Sequence, residues 1–175
     1  FNDLKDEFTV RYDYVIGDAW RDAWKEGFHP FHLTDRIVIR PPWEDYQPAD
    51  GDLVLCLEPG RAFGTRLHAT TALVAASIER QAQFIRGKNL LDVGCGTSIL
   101  AIIALALGAS HARAVDNDPD VVAVSMENAE RNGFASHLHA DATDVSKLTE
   151  VYPFVVANIE ARVLIPLAKA IMARV

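Results

Sequence analysis

At 175 residues and 19.3 kDa, with half its residues hydrophobic, the chain is sized for one globular domain with at most a small appendage. Disorder is excluded as an overall description. Lys and Arg number 17 against 24 Asp and Glu, a net charge of −7 spread evenly along the chain, which disfavours duplex DNA as a partner because backbone binding needs a concentrated basic face.

The opening run Phe1 to Glu7 has no apolar core region, so no secretion signal is read there. Asp18 to Glu26 is predicted as a short helix, with Trp20 and Trp24 packing from one face at i,i+4. Ile37-Val38-Ile39 and Leu53 to Leu57 flank the Pro41-Pro42 pair and the turn-rich run Pro48 to Asp52, and are expected as two antiparallel strands. Composition shifts near Pro59-Gly60. Residues 1–58 therefore form an N-terminal linker segment with a short helix and two strands, and 59–175 the main domain.

From there strand and helix alternate. Thr70 to Gln83 is predicted helical, with Leu73, Val74, Ser77, Ile78 and Gln81 on its buried face. A strand at Leu90 to Val93 leads to an apolar helix, Ser98 to Leu107, ended by Gly108. His111 to Val115 is the next strand, and Pro119 to Asn132 a helix with Pro in its first turn and Gly133 past its end. Ser136 to Ala140 and Phe154 to Ala157 are strands, and Ala161 opens the last helix. Such spacing means βαβ units and a parallel sheet covered on both faces: an α/β, Rossmann-like fold. The longest uncharged stretch, 93–110, is no membrane span, because its apolar part runs only from Ile99 to Leu107. Cys56 and Cys95 are too few for a disulfide framework or a four-ligand zinc site. A soluble protein of a reducing compartment, the cytoplasm, is expected, with no membrane partner.

The turn after the first strand of such a sheet meets the ligand at the carboxyl edge. Here it reads Asp92-Val93-Gly94-Cys95-Gly96-Thr97-Ser98. Gly94 and Gly96 let a ligand lie against bare backbone. A dinucleotide fingerprint would place a third glycine at position 99, where the chain has Ile99. The acid at Asp92 would repel a pyrophosphate and suits a cation, such as the amino group and sulfonium of S-adenosylmethionine. Asp116, with Asn117 beside it, ends the second strand 22 positions after Gly94 and can accept both ribose hydroxyls. The helix cap at Pro119 goes to Asp118. Removing Asp116 is expected to weaken the cofactor and leave stability nearly unchanged. Asp141, after the third strand, can accept an adenine amino group or serve as an ordinary loop acid. His111, His137 and His139 lack the acid or cysteine spacing of a metal site and read as structural.

Together these residues resemble the class I S-adenosylmethionine-dependent methyltransferases. The run Pro59-Gly60-Arg61-Ala62-Phe63-Gly64-Thr65-Arg66-Leu67-His68-Ala69-Thr70-Thr71 narrows the resemblance to the PrmA family, which methylates large-subunit ribosomal protein eleven. Asn128 to Gly133 and Val155 to Ile159 also fit that family, as does the run from Trp20 to Glu44. The resemblance implies S-adenosylmethionine as cofactor, held by Phe63, Gly64, Thr65, Thr71, Asp92, Gly94, Gly96, Asp116, Asn117, Asp141 and Asn158, and no metal. It implies Asn158 as the catalytic residue, holding the acceptor amine through its amide oxygen; a helix cap is its other reading. His68 is either a general base or an organiser of its own loop. The chain departs from the family pattern at Arg66, Ser98 and Glu160. Methylation of another protein or of a small molecule, and a degenerate binding domain, are the alternative functions.

The family's sheet has seven strands, of which this chain shows four after Pro59. A continuation past Val175 is therefore expected. Without one, Phe154 to Ala157 would be an exposed edge, open to self-association.

Overall fold

The computed structural model describes residues 28–58 and 69–175. The expected helix with Trp20 and Trp24 lies outside the described residues, as do Phe63, Gly64, Thr65, Arg66 and His68. The N-terminal part forms a three-stranded sheet in the order β1 (Phe31–His32), β2 (Ile37–Arg40), β3 (Leu53–Cys56). β1 runs antiparallel to β2, but β3 pairs with β2 in parallel, Ile37 opposite Leu53 and Arg40 opposite Cys56. This corrects the antiparallel expectation. The twelve residues 41–52 between the two strands are long enough to carry the chain back to the start of β2, which a parallel pairing requires. β1, only two residues long, carries no periodicity to read.

The second part is built around four parallel strands: β4 (Asn89–Val93), β5 (His111–Val115), β6 (Leu138–Asp141) and β7 (Phe154–Ala157). Their spatial order is β6-β5-β4-β7. The chain steps outward from β4 to β6 and then returns to the other side of β4. That reversal opens a crevice at the carboxyl ends of β4 and β7, where open α/β sheets bind ligands. β5 and β7 have the bounds expected from sequence.

Helices α1 (Ala69–Arg80) and α2 (Ala82–Ile85) precede β4, and α3 (Ile99–Ala106) follows it. Every residue of α3 from Ile99 to Leu105 is buried, which explains its unbroken apolar composition. α4 (Pro119–Arg131) and α5 (Ala161–Met172) complete the set, with a short 3-10 helix at Val145–Lys147 between β6 and β7. The buried face of α1 is Thr71, Ala75 and Ile78, whereas Leu73 is 69% exposed. Of the expected face only Ile78 is fully buried. Small Ala75 seats α1 in the same core as α3, and neither it nor Thr71 carries a strong hydrophobic signal. Among the described residues β7 is an edge strand, half-buried along its length. Leu164, Leu167 and Ile171 of α5 pack over it with Val155, while Val163 and Ile165 stay exposed.

Candidate active site

Three successive backbone reversals shape the turn after β4. Gly94, Gly96 and Ser98 have φ of +71°, +52° and +58°. The first two residues of the turn fold onto the end of β5, where the N–H groups of Gly94 and Cys95 donate to the Val115 carbonyl at 2.8 and 3.2 Å. Gly94 has no room for a side chain: a Cβ there would stand 2.1 Å from Cγ2 of Ile159. The Ile159 side chain packs this closely over the turn only because residue 94 is glycine. Gly96 then donates its N–H to Oδ2 of Asp116 at 2.9 Å, tying the turn to the carboxyl end of β5.

Above this turn lies a cleft of about 610 Å³, within the ordinary range for small-molecule sites. Gly94, Asp116, Asn117 and Asn158 all line it, so four residues singled out from sequence meet at one place. Asp116 accepts two backbone N–H groups, from Gly96 and from Asp118 at 3.1 Å, and each carboxylate oxygen retains capacity for a second donor. Asp118 caps α4 as expected, accepting from Asp120 N–H at 2.9 Å. Asp144, Glu160 and Arg162 also line the cleft, which leaves its walls net acidic. That balance suits a cationic ligand.

Asp92 is placed differently from the expectation. It is 1% exposed and does not line the cleft; it lies beneath the turn and accepts the Ala101 N–H at 3.2 Å. Burial pushes its carboxyl up to about 7, helped by the nearby Asp116 charge and opposed by the Ala101 hydrogen bond. From this position Asp92 supports the turn from below. Asp141 also turns away. Its carboxylate meets Arg113 at 2.7 Å and His139 at 3.1 Å and accepts the Thr143 N–H at 2.7 Å. Burial works against ionisation, but the Thr143 hydrogen bonds and the Arg113 and His139 charges outweigh it, holding the carboxyl below the usual range. The residues after it, from Ala142 to Val145, line the cleft in its place. These contacts are ones that a loop acid makes, the second of the two readings open to it.

Asn158 is anchored. Its Nδ2 donates to the hydroxyl of buried Thr71 at 2.9 Å, which leaves Oδ1 as the acceptor of the amide. Thr71, also singled out from sequence, holds Asn158 and is not among the described residues that line this cleft. Glu160 occupies the N-cap position of α5 without capping it; its carboxylate pairs with Arg162 Nε at 2.5 Å. Asp144 escaped the sequence reading, although Asp-x-Ser before a short turn is a capping signal, and it does accept the Ser146 N–H at 2.8 Å. Among the described residues no group of three or more His, Cys, Asp or Glu side chains is placed to hold a metal ion.

A family model described as "Ribosomal protein L11 methyltransferase (PrmA)" matches residues 1–175. The chain belongs to the PrmA family. The relative from Sorangium cellulosum is 57% identical over 161 residues, 91% of this chain and 51% of its own length. That from Citrifermentans bemidjiense is 43% identical over 165 residues, 92% of this chain and 54% of its own length. Both are named ribosomal protein L11 methyltransferase. The crystal structure of a ribosomal protein L11 methylase from Lactobacillus delbrueckii subsp. bulgaricus superposes with a TM-score of 0.75 at 33% identity, over 85% of this chain and 75% of that one. The chain spans about half the length of the curated PrmA relatives it matches.

The structure accounts for one departure from the PrmA pattern. Ser98, where the family turn has glycine, keeps the left-handed conformation that glycine favours. Its buried hydroxyl is bonded to that of Ser125, which also donates to the Gly96 carbonyl at 3.4 Å. Glu160, the departure beside Asn158, adds an acid to the cleft wall.

Proposed function

We propose that this chain forms the S-adenosylmethionine-binding part of an enzyme that methylates amino groups of a large-subunit ribosomal protein in the cytoplasm. Residues 59–175 would be the cofactor-binding domain and 1–58 the segment leading into it. The observation that carries this reading is Asn158, tethered by Thr71 at the wall of an acid-lined cleft between β4 and β7.

The residues present fit the cofactor. Asp116 offers a carboxylate to a ribose diol, and its side chain is already held in place by Gly96 and Asp118. Gly94 and the chain from Ala142 to Thr143 expose backbone and small side chains against which a flat, neutral ring can lie. Asp116, Asp144 and Glu160 balance a positive ligand. When bound, the sulfonium supplies an activated methyl group.

The protein's own work is alignment. Asn158 Oδ1 accepts one N–H of a neutral amine, which turns the nitrogen lone pair toward the methyl donor. The Thr71 hydroxyl keeps the amide from rotating, so this orientation costs little when the amine arrives. The net acidity of the cleft wall, where Asp116, Asp144 and Glu160 outnumber Arg162, draws a protonated amine toward the site, and the amine gives its proton to solvent water before methyl transfer.

Calorimetric titration of the protein with S-adenosylmethionine should give a saturable heat; none at millimolar cofactor would overturn the reading. Asn158→Ala is expected to keep cofactor affinity within a few-fold and to slow methyl transfer to the ribosomal protein by about 100-fold, since the alignment matters mainly in the transition state. Unchanged turnover would remove Asn158 from catalysis.

A further inference from the structure

Helix α4 carries polar residues where a buried helix face should be apolar. Ser125 and Asn128 are fully buried, and Asn132 follows Asn128 by one turn on the same side. A buried amide is costly unless both its donors and its acceptor lone pairs are used. Asn128 uses all of them. Its Oδ1 accepts the Glu58 N–H at 2.8 Å and an Arg131 N–H at 3.2 Å; its Nδ2 donates to the carbonyls of Glu58 at 3.2 Å and Thr97 at 3.3 Å.

Asn132 makes a similar pair of bonds one rung earlier. Its Oδ1 accepts from Cys56 N–H at 2.9 Å and its Nδ2 donates to the Cys56 carbonyl at 2.7 Å. The two side chains thus stand in for a neighbouring strand, pairing with alternate residues along the end of β3. They differ in one respect. Asn132 spends its other N–H on the Asn128 carbonyl of its own helix, at 2.7 Å. Asn128 spends it on Thr97, inside the turn whose Gly96 holds Asp116.

From this difference we infer that Asn128 is a positioning residue for cofactor binding, linking the N-terminal sheet to the glycine turn, while Asn132 only fastens that sheet. The inference rests on the cofactor reading above. Freed from Asn128, the Thr97 carbonyl no longer fixes the turn. Gly96 N–H then drifts from Asp116, and the carboxylate loses the orientation that a ribose diol needs. The chemical step at Asn158 is untouched, because Thr71 anchors it from a different helix.

The test is carried out on the full-length protein with S-adenosylmethionine as the probe. Asn128→Ala is expected to raise its Kd and KM about tenfold while kcat at saturation stays within threefold. Both variants are expected to lower the Tm by similar amounts, since each loses its hydrogen bonds to the end of β3, but Asn132→Ala is expected to keep Kd and KM within twofold. A Kd that is unchanged in Asn128→Ala, or raised equally in both variants, overturns the inference. Wild-type protein gives a second readout that needs no variant. Titration with the cofactor should shift the side-chain amide NMR resonances of Asn128 and leave those of Asn132 in place; a stationary Asn128 signal also overturns it. If the wild type binds no S-adenosylmethionine, the cofactor reading itself falls. If it binds and Asn128→Ala binds equally well, only the positioning role falls.

Discussion

The turns after β5 and β6 start alike and end differently. Each places an aspartate at the carboxyl end of its strand, Asp116 and Asp141, and each is followed by a stretch that lines the same cleft. Among the described residues Asp116 accepts only backbone N–H groups, and it keeps its carboxylate at the cleft wall. Asp141 is taken up by Arg113 and His139. The cause lies in register. Arg113 sits opposite His139 and Val115 opposite Asp141, so by the two-residue period Arg113, His139 and Asp141 share one face of the sheet. Asp116 is one residue beyond that pattern and meets the glycine turn instead. A strand-end acid is open to a ligand only when the adjacent strand brings no cation to its side.

This contrast breaks most completely at Gly94, on which the shape of the turn depends. Gly94→Ala forces a side chain into a left-handed backbone and against Ile159, at about 4 kcal/mol of combined strain and overpacking. Cofactor binding should be lost and chemical denaturation should show the destabilisation. A variant that binds normally would mean that the Ile159 side chain swings aside at little cost and that the left-handed turn tolerates a Cβ.

The next effect comes from beneath the turn. Asp92 has its carboxyl raised to about 7 in the folded protein, against about 4 when unfolded. The stability associated with its protonated form is fully present below pH 4 and is lost as the pH rises through 7, on the order of 4 kcal/mol. Asp92→Asn keeps an acceptor for the Ala101 N–H and removes that loss. The variant should match the wild type near pH 4 and melt at a higher temperature at pH 8. Parallel Tm profiles across that range would show that the acid is neutralised by other means.

Asp116 sharpens the comparison directly. Asp116→Asn should weaken S-adenosylmethionine tenfold or more, through loss of charge-assisted bonds worth about 1.5–3 kcal/mol each. Stability should fall as well, contrary to the expectation from sequence, because the carboxylate also holds Gly96 and Asp118. Calorimetric titration and a thermal melt on the same variant read both effects. Asp141→Asn is the matched control. It loosens the Arg113 pair, at about 1 kcal/mol, yet should keep cofactor affinity within threefold. A tenfold loss there would return Asp141 to the cofactor site.

Much of this was legible in the chain alone, for local reasons. The bounds of β5 and β7, the apolar run of α3, the Asp118 cap and the glycine turn all follow from residue period, capping chemistry and backbone freedom within a few positions. So did the placing of Asp116 and Asn158 at one cleft, because strand ends in a parallel sheet converge on one edge. The tertiary structure alone decided the rest. It set the direction of β3, the buried face of α1, the burial of Asp92 and the diversion of Asp141 to Arg113. It also gave Asn128 its work, by hydrogen bonds that reach 31 residues to Thr97 and 70 to Glu58. No periodicity reports such bonds, since they exist only once the chain has brought distant backbone to the helix and excluded the water that would otherwise satisfy it.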